Sequence, residues 1–363
     1  MLACCWMAGR AREKPLTTFR QEHPMDLMSR GPRAGRWLLA ALLVLVGLIG
    51  VYMTSMPGRS YSESVPPLSV DEVELRDRLR EHVWTLAGQI GERNLWRREA
   101  LEASADYIEK RFRESGYDVA SQYFVVAGTP VRNLEVELPG TVLPEEIVLL
   151  GAHYDSILGS PGADDNATGT ATVLELARLL VGKRLARSIR FVAFVNEEPP
   201  FFQTDDMGSR VYARRARKRG EKIAAMLSLE SVGYFSDAKG SQKYPFLFGL
   251  FYPSRGNFLG FVGNVPARRL VRESIRSFRQ HAALPSEGVA APGWIMGIGW
   301  SDHWSFWKEG YPAIMVTDTA LFRYEHYHSA ADTPDKIDYA RLARVAAGMA
   351  RVAVDLACVE ASR

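Results

Sequence analysis

From Val70 onward the chain alternates between segments with helical spacing of apolar residues and short apolar runs. DEVELRDRLREHVWTLAGQI (71–90) reads as an amphipathic helix. REALEASADYIEKRFRESG (98–116) reads as a second, with Leu101, Ala105, Ile108 and Phe112 on one face and Gly116 as its stop. Runs of β character follow: ASQYFVVAG (120–128), RNLEVELPG (132–140), EEIVLLGAH (145–153), SIRFVAFVN (188–196), AAMLSLES (224–231) and YPAIMVTDT (311–319). Helices are predicted between them at 169–181, 207–219 and 266–282, and a last one over ARLARVAAGMARVAVDLA (340–357). Strands alternating with helices predict a three-layer α/β sandwich. The early strands are joined by short turns, so the central sheet is expected to be mixed and largely parallel. No second strong linker interrupts residues 70–363, which read as one domain.

One segment departs from this pattern. WLLAALLVLVGLIGVYM (37–53) carries no charge and follows Arg30, Arg33 and Arg36. Its length is near the lower limit for a membrane-spanning helix. The arginines predict that the leader (1–36) stays cytoplasmic and that everything after an anchor at 37–56 lies on the far side. A cleaved signal peptide is the competing reading, but MTSMPG lacks small residues at the spacing of a cleavage site. PGRSYSESVPPLS (57–69) is a polar linker. The leader has no hydrophobic periodicity, and Met25 and Met28 are alternative starts.

Composition narrows the chemistry. The 363 residues are 47% hydrophobic and 24% charged, which is ordinary for a globular protein. A formal net charge of +3 is too weak to argue for nucleic acid, and RRARKRG (214–220) reads as the polar end of a helix. Cys4, Cys5 and Cys358 have neither zinc-ligand spacing nor a disulfide pattern, so any metal must be held by His, Asp and Glu.

Ligands of such sheets gather beyond the carboxyl ends of the strands. There the chain has His153-Tyr154-Asp155 after EEIVLLGA, Glu197 and Glu198 after RFVAFVN, and Glu230 at the end of AAMLSLE. The acid-rich turn PGADDNATG (161–169) leads into a helix, and YEHYHSAADTP supplies His326 and His328. Singly, each has an ordinary reading: a satisfied polar strand end, a helix-capping turn, or a solvated Glu. Together, carboxylates and imidazoles suit zinc or a similar divalent ion. Residues i and i+2 of an extended segment share a face, so Asp155 can orient His153. Glu197 and Glu198 must point in different directions, and Pro199-Pro200 ends the strand behind them. A site for two ions, roughly 3.5–4 Å apart and bridged by one carboxylate, fits this set.

The ordered motifs AHYDS, PGADDNATG, NEEPP, SLESVGYF, SDHWSFW and HYHSAADTPDKID resemble those of the dinuclear zinc aminopeptidases. Relatives of that family include bacterial leucyl aminopeptidases, glutamate carboxypeptidases and glutaminyl cyclases. The resemblance covers roughly residues 75–357 and implies a phosphorylase/hydrolase-like sandwich with its site at one edge of the sheet. It implies two zinc ions per chain. His153 is expected on one ion, oriented by Asp155, with Glu230 completing that shell. Asp165 is the expected bridge, with Asp164 its rival. Glu198 and His328 are expected on the second ion, and Glu197 as general base. The family often has Asp where this chain has Glu230, whose longer arm requires its strand to sit further back. His326 competes with His328, which the HSAADTP after it favours. Asp302 and His303 are expected around the ligands or on the substrate side.

Three aromatic loops, FFQTDDMGS (201–209), YPFLFGLFYPSRGNF (244–258) and PGWIMGIGWSDHWSFW (292–307), are expected to supply rings to an apolar pocket. Arg210 and Arg255 are candidate anchors for a peptide carboxylate. The implied function is a membrane-anchored exopeptidase that acts outside the cytoplasm on peptides with a free N-terminus. Glutaminyl cyclisation, which needs only one zinc, and a catalytically silent binding ectodomain are the competing readings.

Overall fold

The computed structural model describes residues 32–245 and 248–358, with side chains from Arg36 on. Cys4, Cys5, the alternative starts and most of the leader lie outside the described residues. The chain divides into two compact units, Met1–Ile49 and Gly50–Arg363. The helix α1 (Pro32–Thr54) begins in the first. Its stretch Arg36–Thr54 has a mean hydropathy of 2.3 over 19 residues, long and apolar enough to cross a membrane.

After α1 ends, the second unit continues with α2 (Val70–Val83), where Ser69 and Glu72 form a reciprocal capping box. The Ser69 hydroxyl accepts from the Glu72 amide at 3.2 Å, and the Glu72 carboxylate accepts from the Ser69 amide at 2.8 Å. A π-helical turn, Trp84–Ile90, extends this helix to Gly91 at φ 82°. In α3 (Arg98–Glu114) the predicted face of Leu101, Ala105, Ile108 and Phe112 is buried, and Gly116 past its end has φ 92°.

There follow β1 (Ala120–Val126), β2 (Thr129–Leu138), β3 (Leu143–His153), α4 (Gly169–Leu180), β4 (Arg187–Phe194), α5 (Gly208–Lys218) and β5 (Lys222–Glu230). The chain continues through β6 (Leu259–Gly263), α6 (Arg268–His281), β7 (Ser286–Ala290), α7 (His303–Lys308), β8 (Ala313–Thr317), α8 (Ala320–Arg323) and α9 (Tyr339–Ala357). The eight strands form one sheet in the order β1-β2-β4-β3-β5-β8-β6-β7. The pairs β3–β4, β3–β5, β5–β8 and β6–β7 are parallel, and β1–β2, β2–β4 and β6–β8 antiparallel. The sheet is thus mixed and largely parallel, as predicted. Strands β6 and β7 escaped the sequence reading because they are five residues each and carry Gly260, Gly263 and Gly288, which blur any alternation.

Central strands of such a sheet are covered on both faces. In β3, Val148 and Leu150 join a core with residues of α2, α3, α4, α6 and α9, while Ile147 and Leu149 pack with Tyr212 and Ala213 of α5 and Phe306 of α7. Three layers result. The carboxyl ends of β4, β3, β5 and β8, neighbours in the sheet, open at one edge, and there the acids and imidazoles collect.

Candidate metal centre

Each candidate side chain stands where regular structure stops. His153 and Glu230 are the last residues of β3 and β5. Asn196, at φ 58°, turns the chain out of β4 just before Glu197 and Glu198. Asn tolerates this left-handed region better than most side chains. Asp165 lies on the turn before α4, and His328, at φ 55°, on the loop after α8.

Asp165 faces both imidazoles. Its Oδ1 is 3.2 Å from His153 Nε2 and its Oδ2 is 3.0 Å from His328 Nε2. On the His153 side, Glu230 Oε2 lies 3.3 Å from Nε2, and Glu197 Oε2 3.9 Å. On the other side, Glu198 Oε2 is 3.3 Å from His328 Nε2. The arrangement is two half-sites sharing one carboxylate, each with a further Glu and one His. Glu230 reaches because Ser301 and Ser231 donate to its two oxygens at 2.6 and 3.2 Å and aim it inward.

These residues fit a divalent cation. His153 Nε2, Asp165 Oδ1 and Glu198 Oε1 are buried with no hydrogen-bond partner among the described residues. Leaving such atoms unpaired is costly, so their convergence favours an electrophile among them. Ligand atoms of these three residues lie within 4.8 Å of one another. The electrostatics agree. Burial pushes the Glu197, Glu198 and Glu230 carboxyls up, and neighbouring carboxylates add to the rise. Burial opposes the imidazolium of His153, yet Glu230 and Glu197 carry its pKa well above the usual range. Burial also raises Asp165, but its contacts to both histidines outweigh it and hold the carboxyl below its ordinary value. Four carboxyl groups, those of Asp165, Glu197, Glu198 and Glu230, converge here on two imidazoles, and ionising all four needs more positive charge than the imidazoles can supply.

The neighbours divide sharply. Asp155 accepts from the amides of Glu197 and Glu198 at 3.1 and 3.2 Å. His153 Nδ1 is 3.2 Å from the main-chain oxygen of Asp155 and 3.5 Å from its Oδ1. Asp164 turns away from the imidazoles and accepts from the Gly233 amide at 2.9 Å, so only Asp165 of the pair sits between them. Asp302 is buried with neither oxygen bonded among the described residues, and that burial pushes its carboxyl up to about 7. His303 donates from Nε2 to the Ile298 carbonyl at 2.8 Å and meets Trp307 edge-on; burial depresses it to about 4. His326 packs on Tyr324 and lies 3.7 Å from Glu325, apart from the cluster. Arg210 is paired with Glu309 at 2.5 Å, and Arg255 is exposed.

An apolar cavity of about 110 Å³, open to solvent, lies beside Glu230, lined by Tyr244, Phe248, Tyr252, Phe258, Ile298, Trp300 and Tyr327 among others. Two of the three aromatic loops thus contribute. From the third, Phe201 instead stacks on Trp96, with ring centroids 5.9 Å apart. Four residues near the centre escaped the sequence reading. Tyr327 stacks on His328 at 3.9 Å and lines the cavity. Asp332, Asp318 and Arg93 are buried around the Asp164–Asp165 turn or the strand ends. Tyr327 and Asp332 flank His328 within HYHSAAD and were within reach of its motif. Arg93, in the loop GERNLW, has no local signal.

Comparison with known proteins agrees with this architecture. The chain is 38% identical over 258 residues to the uncharacterized protein YfbL of Escherichia coli K12, covering 69% of this chain and 78% of that one. It is 29% identical over 260 residues to a probable leucine aminopeptidase of Trichophyton verrucosum, covering 67% of this chain but only 63% of the relative. BSAP, a zinc aminopeptidase from Bacillus subtilis, superposes with a TM-score of 0.64 at 16% identity, over 83% of this chain and 98% of that one. Residues 133–353, which carry every residue of the two half-sites, match the family model Peptidase family M28, and the chain belongs to that family.

Proposed function

We propose that this protein is a zinc-dependent aminopeptidase with two metal ions per chain. The observation that carries the reading is Asp165, whose two oxygens face His153 and His328 from opposite sides. His153 and Glu230 would hold one ion, His328 and Glu198 the other, and Asp165 both. Zinc bound there supplies Lewis acidity and makes a water nucleophilic at neutral pH.

The chain's own residues do the rest. Glu197, beside the His153 half-site but off the His328 half-site, accepts the proton of the attacking water and returns it to the leaving amine. The seat provided by Asp155 keeps the two glutamates on these separate tasks. Tyr327 stays protonated, since burial and the surrounding carboxylates hold its phenol far above its ordinary value, and can donate to the scissile carbonyl oxygen. The apolar cavity beside Glu230 receives the first side chain of the peptide. The sharing of one carboxylate by two half-sites favours hydrolysis over glutaminyl cyclisation.

We infer that α1 anchors the enzyme, with the catalytic unit outside the cytoplasm; its length, its hydropathy and the arginines before its apolar stretch support this. The deciding experiment is a panel of aminoacyl amides, N-acetylated peptides and peptides starting with Gln, assayed with and without a chelator. Chelator-sensitive release of N-terminal residues from free-amine substrates is expected. Cyclisation of N-terminal Gln, release of C-terminal residues, or equal turnover of acetylated peptides would overturn the reading.

A further inference from the structure

The turn that carries Asp165 has almost no regular structure of its own to hold it. It enters through Gly162 at φ 61°, where a side chain would collide with the main-chain oxygen of Asp165. Its polar backbone groups are instead taken up by two fully buried ions of opposite sign. Arg93 donates to the carbonyls: Nη2 to Gly162 at 2.7 Å, Nη1 to Pro161, and Nε across to Tyr154, next to His153, at 2.7 Å. Asp332 takes the amides: Oδ1 accepts from Asp164 at 2.9 Å and Oδ2 from Asp165 at 3.2 Å. The main-chain oxygen of Asp332 accepts from Ala163 at 3.2 Å, and the Tyr324 hydroxyl donates to its Oδ1 at 3.0 Å.

We propose that Arg93 and Asp332 are positioning residues that clamp the 161–165 turn from its carbonyl and amide sides and so set how tightly the shared carboxylate of Asp165 holds metal. The proposal rests on reading His153, Asp165 and Glu198 as metal ligands. Several features make the clamp specific. The planar guanidinium reaches four carbonyls, those of Gly91, Tyr154, Pro161 and Gly162, on three separate segments, and the single ammonium of Lys cannot reproduce that fork. Every described hydrogen bond of the Arg93 side chain ends on a carbonyl, so its charge is not consumed by a direct ion pair and stays beside the acid cluster. Asp332 offers an oxygen to each of two successive amides; Asn would keep one and set an N–H against the other. Because Arg93 also holds Tyr154, the same side chain ties the turn of the bridging acid to the strand end of His153.

Groups that orient metal ligands without touching the metal typically change affinity or activity about 10–100-fold when replaced. The test is zinc affinity of the full chain in detergent, measured by competition with a chromophoric chelator. Arg93→Lys, Asp332→Asn, Tyr324→Phe and the exposed control Asp335→Asn are compared with wild type, alongside the thermal midpoint of each metal-free protein. Arg93→Lys and Asp332→Asn are expected to weaken zinc binding about 10–100-fold. Tyr324→Phe, which removes one bond onto Asp332, should shift it less and in the same direction, and Asp335→Asn not at all. kcat should fall at limiting zinc and recover as zinc is raised, with KM little changed. Unchanged zinc affinity with a lowered metal-free midpoint would mean that the clamp only stabilises the fold, and the proposal is then wrong. It is equally wrong if nothing changes. Should Arg93→Lys or Asp332→Asn not fold, Tyr324→Phe decides between the same outcomes. Asp165→Asn separates the two levels: if that variant binds zinc like wild type, the metal-centre reading itself fails.

Discussion

Asp155 holds Glu198 by its main chain, through an amide-to-carboxylate hydrogen bond of 3.2 Å, while the adjacent amide of Glu197 takes the other oxygen at 3.1 Å. One buried carboxylate thereby fixes the backbone of both glutamates and leaves their side chains free. Asp155→Asn keeps the size but replaces one acceptor with a donor facing an amide N–H. Turnover is expected to fall about 10–100-fold, with zinc content reduced mainly in the half-site of Glu198. Steady-state kinetics with metal analysis checks this, and wild-type values for both would show that the seat is dispensable.

Acid stability should depend on a second buried carboxylate, on α4. Glu175 of α4 is 1% exposed and accepts from His82 at 3.0 Å, Arg178 at 2.7 Å and Arg78 at 3.1 Å. Burial raises its pKa, but the bonds from His82 and Arg178 outweigh it, so the folded value lies below the ordinary one of 4.5. A depressed carboxyl contributes stability that is fully present above the unfolded pKa and is lost as pH falls through the folded one. Wild type should therefore lose thermal stability below about pH 4.5, and Glu175→Gln should lose less of it over that window. At pH 7 the same variant should be less stable by about 1–3 kcal/mol, since it leaves His82, Arg178 and Arg78 with one acceptor fewer. Thermal melts from pH 7 to pH 3 measure both effects; parallel curves would contradict the assignment.

Membrane orientation makes a separate prediction. A reporter fused after residue 60 should be active only outside the cytoplasm, because the arginines lie before the apolar stretch. The mature protein should also retain Trp37. Cytoplasmic reporter activity excludes this orientation, and an N-terminus beyond residue 50 means a cleaved signal peptide.

The architecture was legible where periodicity was strong. The α3 face and the run EEIVLLGAH announced themselves, since burial on one face or both dictates their pattern. Strands β6 and β7 did not, because glycine and a length of five residues erase alternation. At the site, strand-end acids were readable because a polar group directly after a buried run has few structural uses. The choice between Asp164 and Asp165 was not readable from spacing. It depends on the local backbone of one turn, where Gly233 captures the first carboxylate and leaves the second between the imidazoles. Arg93 and Asp332 were hidden for a similar reason: apart from Gly91, the side-chain partners of Arg93 are backbone atoms 61 to 69 positions away and the two amides on the Asp332 carboxylate 167 to 168, which no local pattern encodes.

The two glutamates should fail in different ways. Glu197→Gln keeps the shape of the side chain but cannot take a proton from water at neutral pH. Metal content should stay near wild type while turnover collapses by at least about 100-fold, the lower end of what general acid–base catalysis contributes. Substrate binding should survive, because the lost interaction belongs to the transition state. Glu198→Gln replaces an anionic group, 3.3 Å from His328 and with one oxygen otherwise unpartnered, by a neutral amide. Zinc occupancy should fall first in that variant, and activity should follow it. Added zinc should then restore part of the activity of Glu198→Gln and none of that of Glu197→Gln. Titrating zinc into both variants while following turnover and bound metal separates the roles. A metal-loss phenotype in Glu197→Gln reverses the assignment. Wild-type behaviour of both leaves the strand-end pair as a buried turn without catalytic duty, and the aminopeptidase reading falls with it.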